Sequence, residues 1–322
     1  MASTQLKTVV VFGATGIQGG SVVKTLLEDP RAAQQFKVRA VTRDPAKPAA
    51  KALLERGAEV VKADLEDKES LKSALTGAYA LFLVTNFFDK MDAALEEQQG
   101  KNVADLAKEL NIEHFIWSSL PYISKISGNK YNAATHFDHK AAVDDYIKSL
   151  SLPYTVVRLA IYGSEIVSNF ITPLPVNPPS YGLIFPGNAS ERTVIPIINP
   201  AADLGKFIKG ILLSPETTVG RSFNLAEKLY TLGEVTEILR RQGLKVSLQC
   251  IDMATFKAGL AAKGLPESFR VALQHVLEYT LEFGFFNGES IDQGLELLTD
   301  PLTSFEDFVK GDSKFEQLLQ EQ

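Results

Sequence analysis

The sequence predicts an α/β fold: a doubly wound parallel sheet with a smaller C-terminal α/β lobe. Three observations predict it. Short apolar runs alternate with stretches of helical spacing through the first 160 residues. A glycine-rich turn joins the first apolar run to the first helix. After Ala160 the texture changes, with seven of the 15 prolines between Pro173 and Pro200. The expected division is a main unit over 1–160 and a smaller lobe over 161–322, with segments of the second half returning to the core.

Each element has its own signal. "KTVVVFGA" (7–14) is a continuous apolar run stopped by glycine, as a strand buried on both faces would be. "QGGSVVKTLLED" (18–29) has helical spacing and stops at Pro30. "FKVRAVTR" (36–43) is a second strand. "DPAKPAAKALLERG" (44–57) reads as a helix with Asp44 as N-cap and Gly57 at its end. "AEVVKAD" (58–64) is a third strand, and "KESLKSALTG" (68–77) a short helix. "AYALFLVTN" (78–86) precedes a long helix through "QGKNVADLAKELN" (99–111). "IEHFIWSS" (112–119), "THFDHKAAVDDYIKSL" (135–150) and "PYTVVRLA" (153–160) continue as strand, helix and strand. The proline-rich segment must be loops and short edges. "NPAADLGKFIKGILLSP" (199–215) is a helix, "RSFNLA" (221–226) and "KVSLQCID" (245–252) are strands, and the remainder is mostly helical.

Composition excludes several classes. The chain has 322 residues, is 45% apolar and carries a net charge of −6. That balance argues against wholesale binding of nucleic acid or anionic membrane, which requires clustered Lys and Arg. A single cysteine, Cys250, rules out an internal disulfide and reads as a small apolar strand residue. No stretch approaches the ~20 apolar residues of a membrane helix, and the N-terminal "VVVF" lacks a signal-peptide pattern. The expected setting is cytoplasmic; the nucleus stays open to a regulator, although no Lys/Arg cluster argues for it. The histidines show no metal-ligand spacing, and His114, His139 and His275 read as structural or exposed.

Gly13, Gly16 and Gly19 form G-x-x-G-x-x-G between strand and helix. Gly13 permits the tight turn, Gly16 lets backbone approach a pyrophosphate, and Gly19 seats the helix against the sheet. The helix N-terminus then offers free N–H groups to an anion. The first unit is thus expected to be a Rossmann-like dinucleotide-binding domain. For NAD, an acidic residue should close the second strand; here Thr42 and Arg43 stand there, followed by Lys47. Arginine suits a 2′-phosphate, so NADP(H) is the expected cofactor. Asp64, beside Leu65, reads equally as an adenine contact or a helix cap. Thr85, Asn86 and Ser118 close the fourth and fifth strands, where ligands bind in open α/β sheets.

Together, "VFGATGIQGGSV", "VRAVTRDP", "GAEVVKADLED", "GAYALFLVTNFF", "EQQGKNVADLAK" and "HFDHK" resemble the atypical short-chain dehydrogenase/reductases. More narrowly, "VTNFF" and "HFDHK" resemble the NmrA-like family of nicotinamide-nucleotide sensors and regulators. The likeness is firm over residues 7–210 and diffuse beyond. It implies a cofactor-binding core with a small C-terminal lobe. It also implies regulatory members that bind dinucleotide without demonstrable turnover, some contacting transcription factors or other proteins. By position, Gly13, Thr15, Gly16, Gln18, Gly19, Arg43, Thr85 and Lys140 would line the cofactor, with Ile17 in the same turn. Plant reductases of the phenylpropanoid type, in another branch, are enzymes with a lysine on the matching helix.

The stretch "THFDHK" keeps the spacing of a Tyr-x-x-x-Lys pair but puts His136 where tyrosine would stand. His136 and Lys140 should share one helix face. With a lysine beside it, His136 should be mostly neutral near pH 7 and a poor general acid. Ser118 or Ser119 could complete a proton relay, with a phenol supplied by Tyr122, Tyr131 or, preferentially, Tyr162. Two functions follow. One is an NADP(H)-binding sensor acting through a protein partner, a transcriptional regulator or an enzyme. The other is an NADPH-dependent reductase of a small apolar carbonyl, imine or alkene, with Lys140, Tyr162 and His136 as candidate catalytic residues. The segment "NFITPLPVNPPSYGLIF" would wall a pocket or present a partner surface.

Overall fold

Val9, Val10 and Val11 are all fully buried, which only a strand covered on both faces achieves. The computed structural model, which describes residues 5–322, places them in an interior strand of a seven-stranded sheet. Its first six strands are β1 (Lys7–Val11), β2 (Phe36–Thr42), β3 (Glu59–Lys62), β4 (Ala80–Leu83), β5 (His114–Ser119) and β6 (Tyr154–Leu159). The second half adds β7 (Ile161–Tyr162), β8 (Ile171–Leu174), β9 (Ser180–Pro186), β10 (Val194–Ile198), β11 (Arg221–Leu225), β12 (Lys228–Thr231) and β13 (Val246–Ile251). The large sheet runs β3-β2-β1-β4-β5-β6-β11, and every neighbouring pair is parallel. The strand order reverses at β1, which opens a crevice beyond the carboxyl ends of β1 and β4.

Helices cover both faces. On one side Val22, Leu26, Leu204 and Phe207 pack on Val9, Val11, Phe82 and Ile116. These come from helices Ile17–Glu28 and Pro200–Leu213, so the second half contributes a helix as well as β11 to the main sheet. The two helices nearly touch: a Cβ on Gly205 would lie 2.1 Å from Thr25 Oγ1. On the other side Leu71, Val103, Val143 and Ile147 cover Val10, Leu81, Trp117 and Val156. They belong to helices Lys68–Leu75, Ala93–Glu109 and Thr135–Ser149.

The C-terminal lobe has two three-stranded sheets, β12-β10-β7 and β13-β9-β8, around a third apolar cluster that includes Ile166, Leu183, Phe305 and Phe315. The proline-rich segment forms strands as well as loops. Pro173 sits in the edge strand β8 and Pro186 ends β9, where a missing N–H is tolerated. "NFITPLPVNPPSYGLIF" is partly inside this lobe: Phe170 stacks on Phe185 at 4.7 Å.

Two local expectations change. Asp44 does not cap a helix; its carboxylate accepts from Ala46 N–H at 3.0 Å in a turn. The helix starts at Pro48, with Lys47 at the N-cap, because the second proline, not Pro45, takes the first helical position. Cys250 lies in β13 as expected of a strand residue, but it is exposed.

Candidate functional site

The glycine turn has the geometry that its spacing demands. Gly13 sits at φ +61°, and a Cβ there would meet Val84 at 2.8 Å. A Cβ on Gly19 would lie 2.3 Å from the Gly13 carbonyl oxygen and 2.5 Å from that of Phe12. Only glycine lets helix Ile17–Glu28 sit this close to the strand end. Gly16 is the N-cap and no side chain caps the first turn, so the leading N–H groups face outward. Thr15, Gly16 and Ile17 are exposed around this cradle. A Cβ on Gly16 would approach the Gly13 oxygen at 3.3 Å. An anionic group fits a surface of open backbone donors at a helix N-terminus.

Gln18, in the first turn, is half-buried and connects two strands' ends. Its Nε2 donates to Tyr162 Oη at 2.6 Å, and its Oε1 accepts from Ser118 Oγ at 2.7 Å. Of the three tyrosines considered for the missing phenol, only Tyr162 reaches this side. Tyr131 donates to Glu282 at 2.6 Å, and Tyr122 lies under Lys125 beside another cavity. Burial pushes the Tyr162 phenol up to about 12, against the opposing hydrogen bond from Gln18.

Arg43, the first residue past β2, is exposed and is already engaged. Its guanidinium meets Asp89 in a fork, Nη1 to Oδ2 at 2.6 Å and Nη2 to Oδ1 at 3.4 Å. The Asp89 hydrogen bond and charge raise the Arg43 pKa, while Arg43 lowers that of Asp89. Asp89 belongs to the turn Phe87–Asp89, capped by Asn86, whose Oδ1 accepts from Phe88 N–H at 3.2 Å. Lys47 is exposed. Asp64 accepts from Glu66 N–H at 3.0 Å in a local turn. The half-buried Leu65 receives Asn102 Nδ2 on its carbonyl at 3.0 Å.

Lys140 is the most constrained group in the crevice. Its Nζ contacts Thr85 Oγ1 at 2.7 Å, Thr85 O at 3.2 Å and Glu96 Oε1 at 2.8 Å. Three acceptors match the three N–H bonds of an ammonium. Thr85 Oγ1 in turn donates to Glu96 at 2.8 Å. Burial pulls Lys140 below the usual lysine value, with the Glu96 carboxylate opposing. Its Nζ also lies 5.3 Å from the Trp117 ring centre. Glu96 is 2% exposed, and its Oε2 is buried with no partner among the described residues.

His136 sits one turn before Lys140, packed against Phe87 at 5.2 Å, Phe137 at 4.9 Å and Phe269 at 5.9 Å. Burial first, then the Lys140 charge, drop it to about 4. It is neutral near pH 7, as its neighbour predicts, although burial is the larger cause. Its Nδ1 is buried with no partner among the described residues. The other histidines are structural: His114 contacts Thr155 Oγ1 at 2.8 Å, His139 Glu97 at 2.6 Å, and His275 accepts from Ala133 N–H at 3.0 Å. Among the described residues no group of His, Cys, Asp and Glu is placed to hold a metal, and no helix is long and apolar enough to cross a membrane.

With this crevice in place, residues 5–309 match the model of the NmrA-like family. The chain belongs to the NmrA-like family. Among its relatives, an NmrA-like family domain-containing protein of Dictyostelium discoideum is 28% identical over 311 residues, 94% of this chain and 97% of the relative. The NmrA-like family domain-containing oxidoreductase FrzB of a Cladobotryum species is 30% identical over 243 residues, 70% of each chain. Two solved structures share the fold. NmrA, a negative transcriptional regulator crystallised with NADP, superposes with TM-score 0.75 at 20% identity over 97% of each chain. The NADPH-dependent quinone oxidoreductase QOR2 of Escherichia coli, complexed with NADPH, gives 0.73 at 23% over 94% of this chain and 98% of its own.

Sequence reading of this NmrA-like chain missed Glu96, Asp89 and Phe269. A signal for Glu96 was present. Glu96, Gly100, Val103, Ala104 and Ala107 fall on one helical stripe, and all are buried. A carboxylate on an apolar stripe calls for a buried cation. Asp89 and Phe269 lie 46 and 133 residues from Arg43 and His136, and nothing local marks them as partners.

Proposed function

We propose that this NmrA-like protein binds NADP(H) and reports its occupancy to a protein partner. Backbone donors at Ile17 and Gln18 would hold the pyrophosphate, the Gly16 N–H being closed on the Gly13 carbonyl at 2.8 Å, and Arg43 would hold the 2′-phosphate once Asp89 yields. The cofactor supplies hydride chemistry when bound. The observation that carries the sensor reading is Lys140: its three N–H bonds already have acceptors in Thr85 and Glu96. Neutral His136, walled by phenylalanines, offers little as an acid. The proton-transfer set that a fast reductase requires is therefore not assembled by these residues. The Arg43–Asp89 fork joins the cofactor side to Phe87, and Phe87 stacks on Phe269 at 6.4 Å. That linkage lets an occupant with different affinity for two arrangements shift a surface a partner reads.

The test is calorimetry with NADPH, NADP+, NADH and NAD+, followed by NADPH consumption over a panel of carbonyls and enones. The expected result is at least tenfold preference for the phosphorylated dinucleotides, lost in Arg43→Ala, and no turnover. Rapid turnover abolished by Lys140→Ala would overturn the sensor reading.

One observation favours a second reading, an NADPH-dependent reductase. The Ser118–Gln18–Tyr162 chain brings a phenol to the first turn of the cradle helix. In that case Tyr162 is the proton donor, and Tyr162→Phe abolishes any turnover found while cofactor affinity stays within twofold.

A further inference from the structure

Single exposed apolar side chains are ordinary, but a cluster of them at the rim of a crevice marks a contact surface. Phe88 is 61% exposed and Met91, three residues on, 41%. The Phe88 ring meets Phe87 at 5.5 Å and Phe269 at 5.7 Å, both edge to face, and Phe87 lies 6.4 Å from Phe269. The cluster continues inward to His136, 5.2 Å from Phe87 and 5.9 Å from Phe269. A surface patch is thus packed directly on the crevice wall. Met91 sits at φ +54°, its N–H donating to Phe87 O at 2.8 Å. A bulky residue rarely takes that conformation, and such outliers gather at segments that switch.

An ion pair ties this turn to the end of β2. Asp89, next to Phe88, forks onto Arg43. Arg43 is also the group proposed above for a 2′-phosphate, so one guanidinium has two claimants. Asp64 and Glu66 act on it as well, and Lys90 and Asp92 are exposed beside Asp89. Among these groups four carboxylates face two cations, so the neighbourhood is acidic before any ligand arrives. A phosphate monoester adds a charge of roughly −1.5 to −2 and, by taking Arg43, frees the Asp89 carboxylate. The occupied state then presents an unpaired anion one residue from an exposed ring. That surface complements an apolar side chain flanked by Lys or Arg, and it repels an anionic membrane.

We infer that the turn over residues 87–91, with Phe269, is the docking surface for a protein partner that offers a basic, apolar segment. A leucine or aromatic side chain of that segment packs on Phe88 while a neighbouring cation meets Asp89. The inference rests on the sensor reading and adds the partner's chemistry to it. Release of Asp89 requires the 2′-phosphate, so NADP(H) strengthens docking and NAD(H) does not. By linkage, the partner strengthens NADP(H) binding by the same factor.

The test uses the full-length protein and short fluorescein-labelled peptides that place Leu, Phe or Trp between Lys or Arg residues. Control peptides carry Glu for the cations or Ser for the apolar residue. Anisotropy is read without cofactor and with saturating NADPH or NADH. At least one basic, apolar peptide should bind about tenfold tighter with NADPH than without, within the usual range of coupling between sites. Both control sets should lose binding, and NADH should change it less than twofold. Phe88→Ser should abolish peptide binding and keep NADPH affinity within twofold. Asp89→Asn should bind NADPH at least as tightly as wild type yet lose the NADPH-dependent gain. Both residues are exposed, so neither variant threatens the fold. If NADPH itself fails to bind, the sensor reading falls and this inference with it. If NADPH binds and no peptide responds, this inference alone is overturned. An equal gain with NADH, or peptide binding unchanged in Phe88→Ser, also overturns it. Sedimentation with and without anionic vesicles covers the other occupants: self-association or vesicle binding that Phe88→Ser removes would assign the patch to a second copy or a membrane and overturn it.

Discussion

The glycine turn and the Lys140 cluster lie in one crevice but are built in opposite ways. At the turn, the backbone does the work. Gly13, Gly16 and Gly19 leave room, and the donors are peptide N–H groups within seven residues of chain. At Lys140, side chains do the work, and they come from three places: Thr85 after β4, Glu96 on one helix and Lys140 on another. The first site is specified locally and the second only by the tertiary fold. The two should therefore break differently. Substitution at the turn should act through sterics, and substitution in the cluster through uncompensated charge.

The largest effect is expected from Glu96→Gln. It leaves the Lys140 ammonium buried with no counter-charge, and breaking a buried pair by removing one partner costs about 3–5 kcal/mol. Urea denaturation should show that loss, and adding Lys140→Met should recover much of it, because an apolar pair is tolerated where a lone charge is not. A double mutant no more stable than Glu96→Gln alone would mean that the pair carries no such coupling. At the turn, Gly19→Ala places a methyl group 2.3 Å from a backbone oxygen that cannot move cheaply. About 3 kcal/mol of destabilisation is expected. Gly16→Ala, at 3.3 Å, should leave the melting temperature nearly unchanged and weaken dinucleotide binding instead. If the two alanines destabilise alike, the division of labour between these glycines is wrong.

How much was legible follows the same divide. Continuous valine runs, glycine turns and helix stops carry the strand order as far as β6, because each is a local signal of burial or backbone freedom. Strand β11 and helix Pro200–Leu213 also had local signals, but their place in the main sheet and layer depends on contacts such as Gly205 against Thr25. Arg43 was legible as a cation at the end of β2. Its engagement with Asp89 was not, since a fork across 46 residues leaves no periodic trace. Helical periodicity would have exposed Glu96 had the long helix been started at Ala93 rather than near residue 99. The neutrality of His136 was readable from Lys140 four residues on, but its larger cause, burial among Phe87, Phe137 and Phe269, was not.

That burial gives the cluster a pH signature the turn lacks. His136 titrates near 6.5 when unfolded and at about 4 in the fold. Below pH 6.5 the unfolded chain takes up a proton that the native state refuses, so stability falls as pH falls, until about pH 4. The full swing is about 3 kcal/mol. His114, also at about 4 because of burial, contributes in the same direction. Asp144, raised to about 6, works oppositely and adds stability as pH falls from about 6 toward 3.8. Comparing wild type with His136→Phe cancels both. The variant's unfolding free energy should decline less than the wild type's between pH 6.5 and 4, with no difference in slope above pH 7.5. Parallel curves would mean that His136 takes up its proton alike in the native and unfolded states.

The smallest effect tests the contact between the end of β2 and the Phe87–Asp89 turn. Asp89 occupies the guanidinium that a 2′-phosphate would use, and the pair is partly exposed, at 65% and 35% for the two side chains. Exposed pairs are worth about 0–1 kcal/mol, so an incoming dianion can displace the carboxylate at small cost. Asp89→Asn removes both the competitor and a like charge near the incoming phosphate. NADP(H) should bind up to about fivefold tighter, the equivalent of roughly 1 kcal/mol. NAD(H), which has nothing to offer Arg43, should bind as before. The gain should shrink at 0.5 M salt, where charges at this exposure are screened. Weaker NADP(H) binding in Asp89→Asn would reverse the assignment, making the carboxylate a support that aims Arg43 rather than a rival for it. The end of β2 and the Phe87–Asp89 turn would then be joined through a fixed strut instead of a releasable contact.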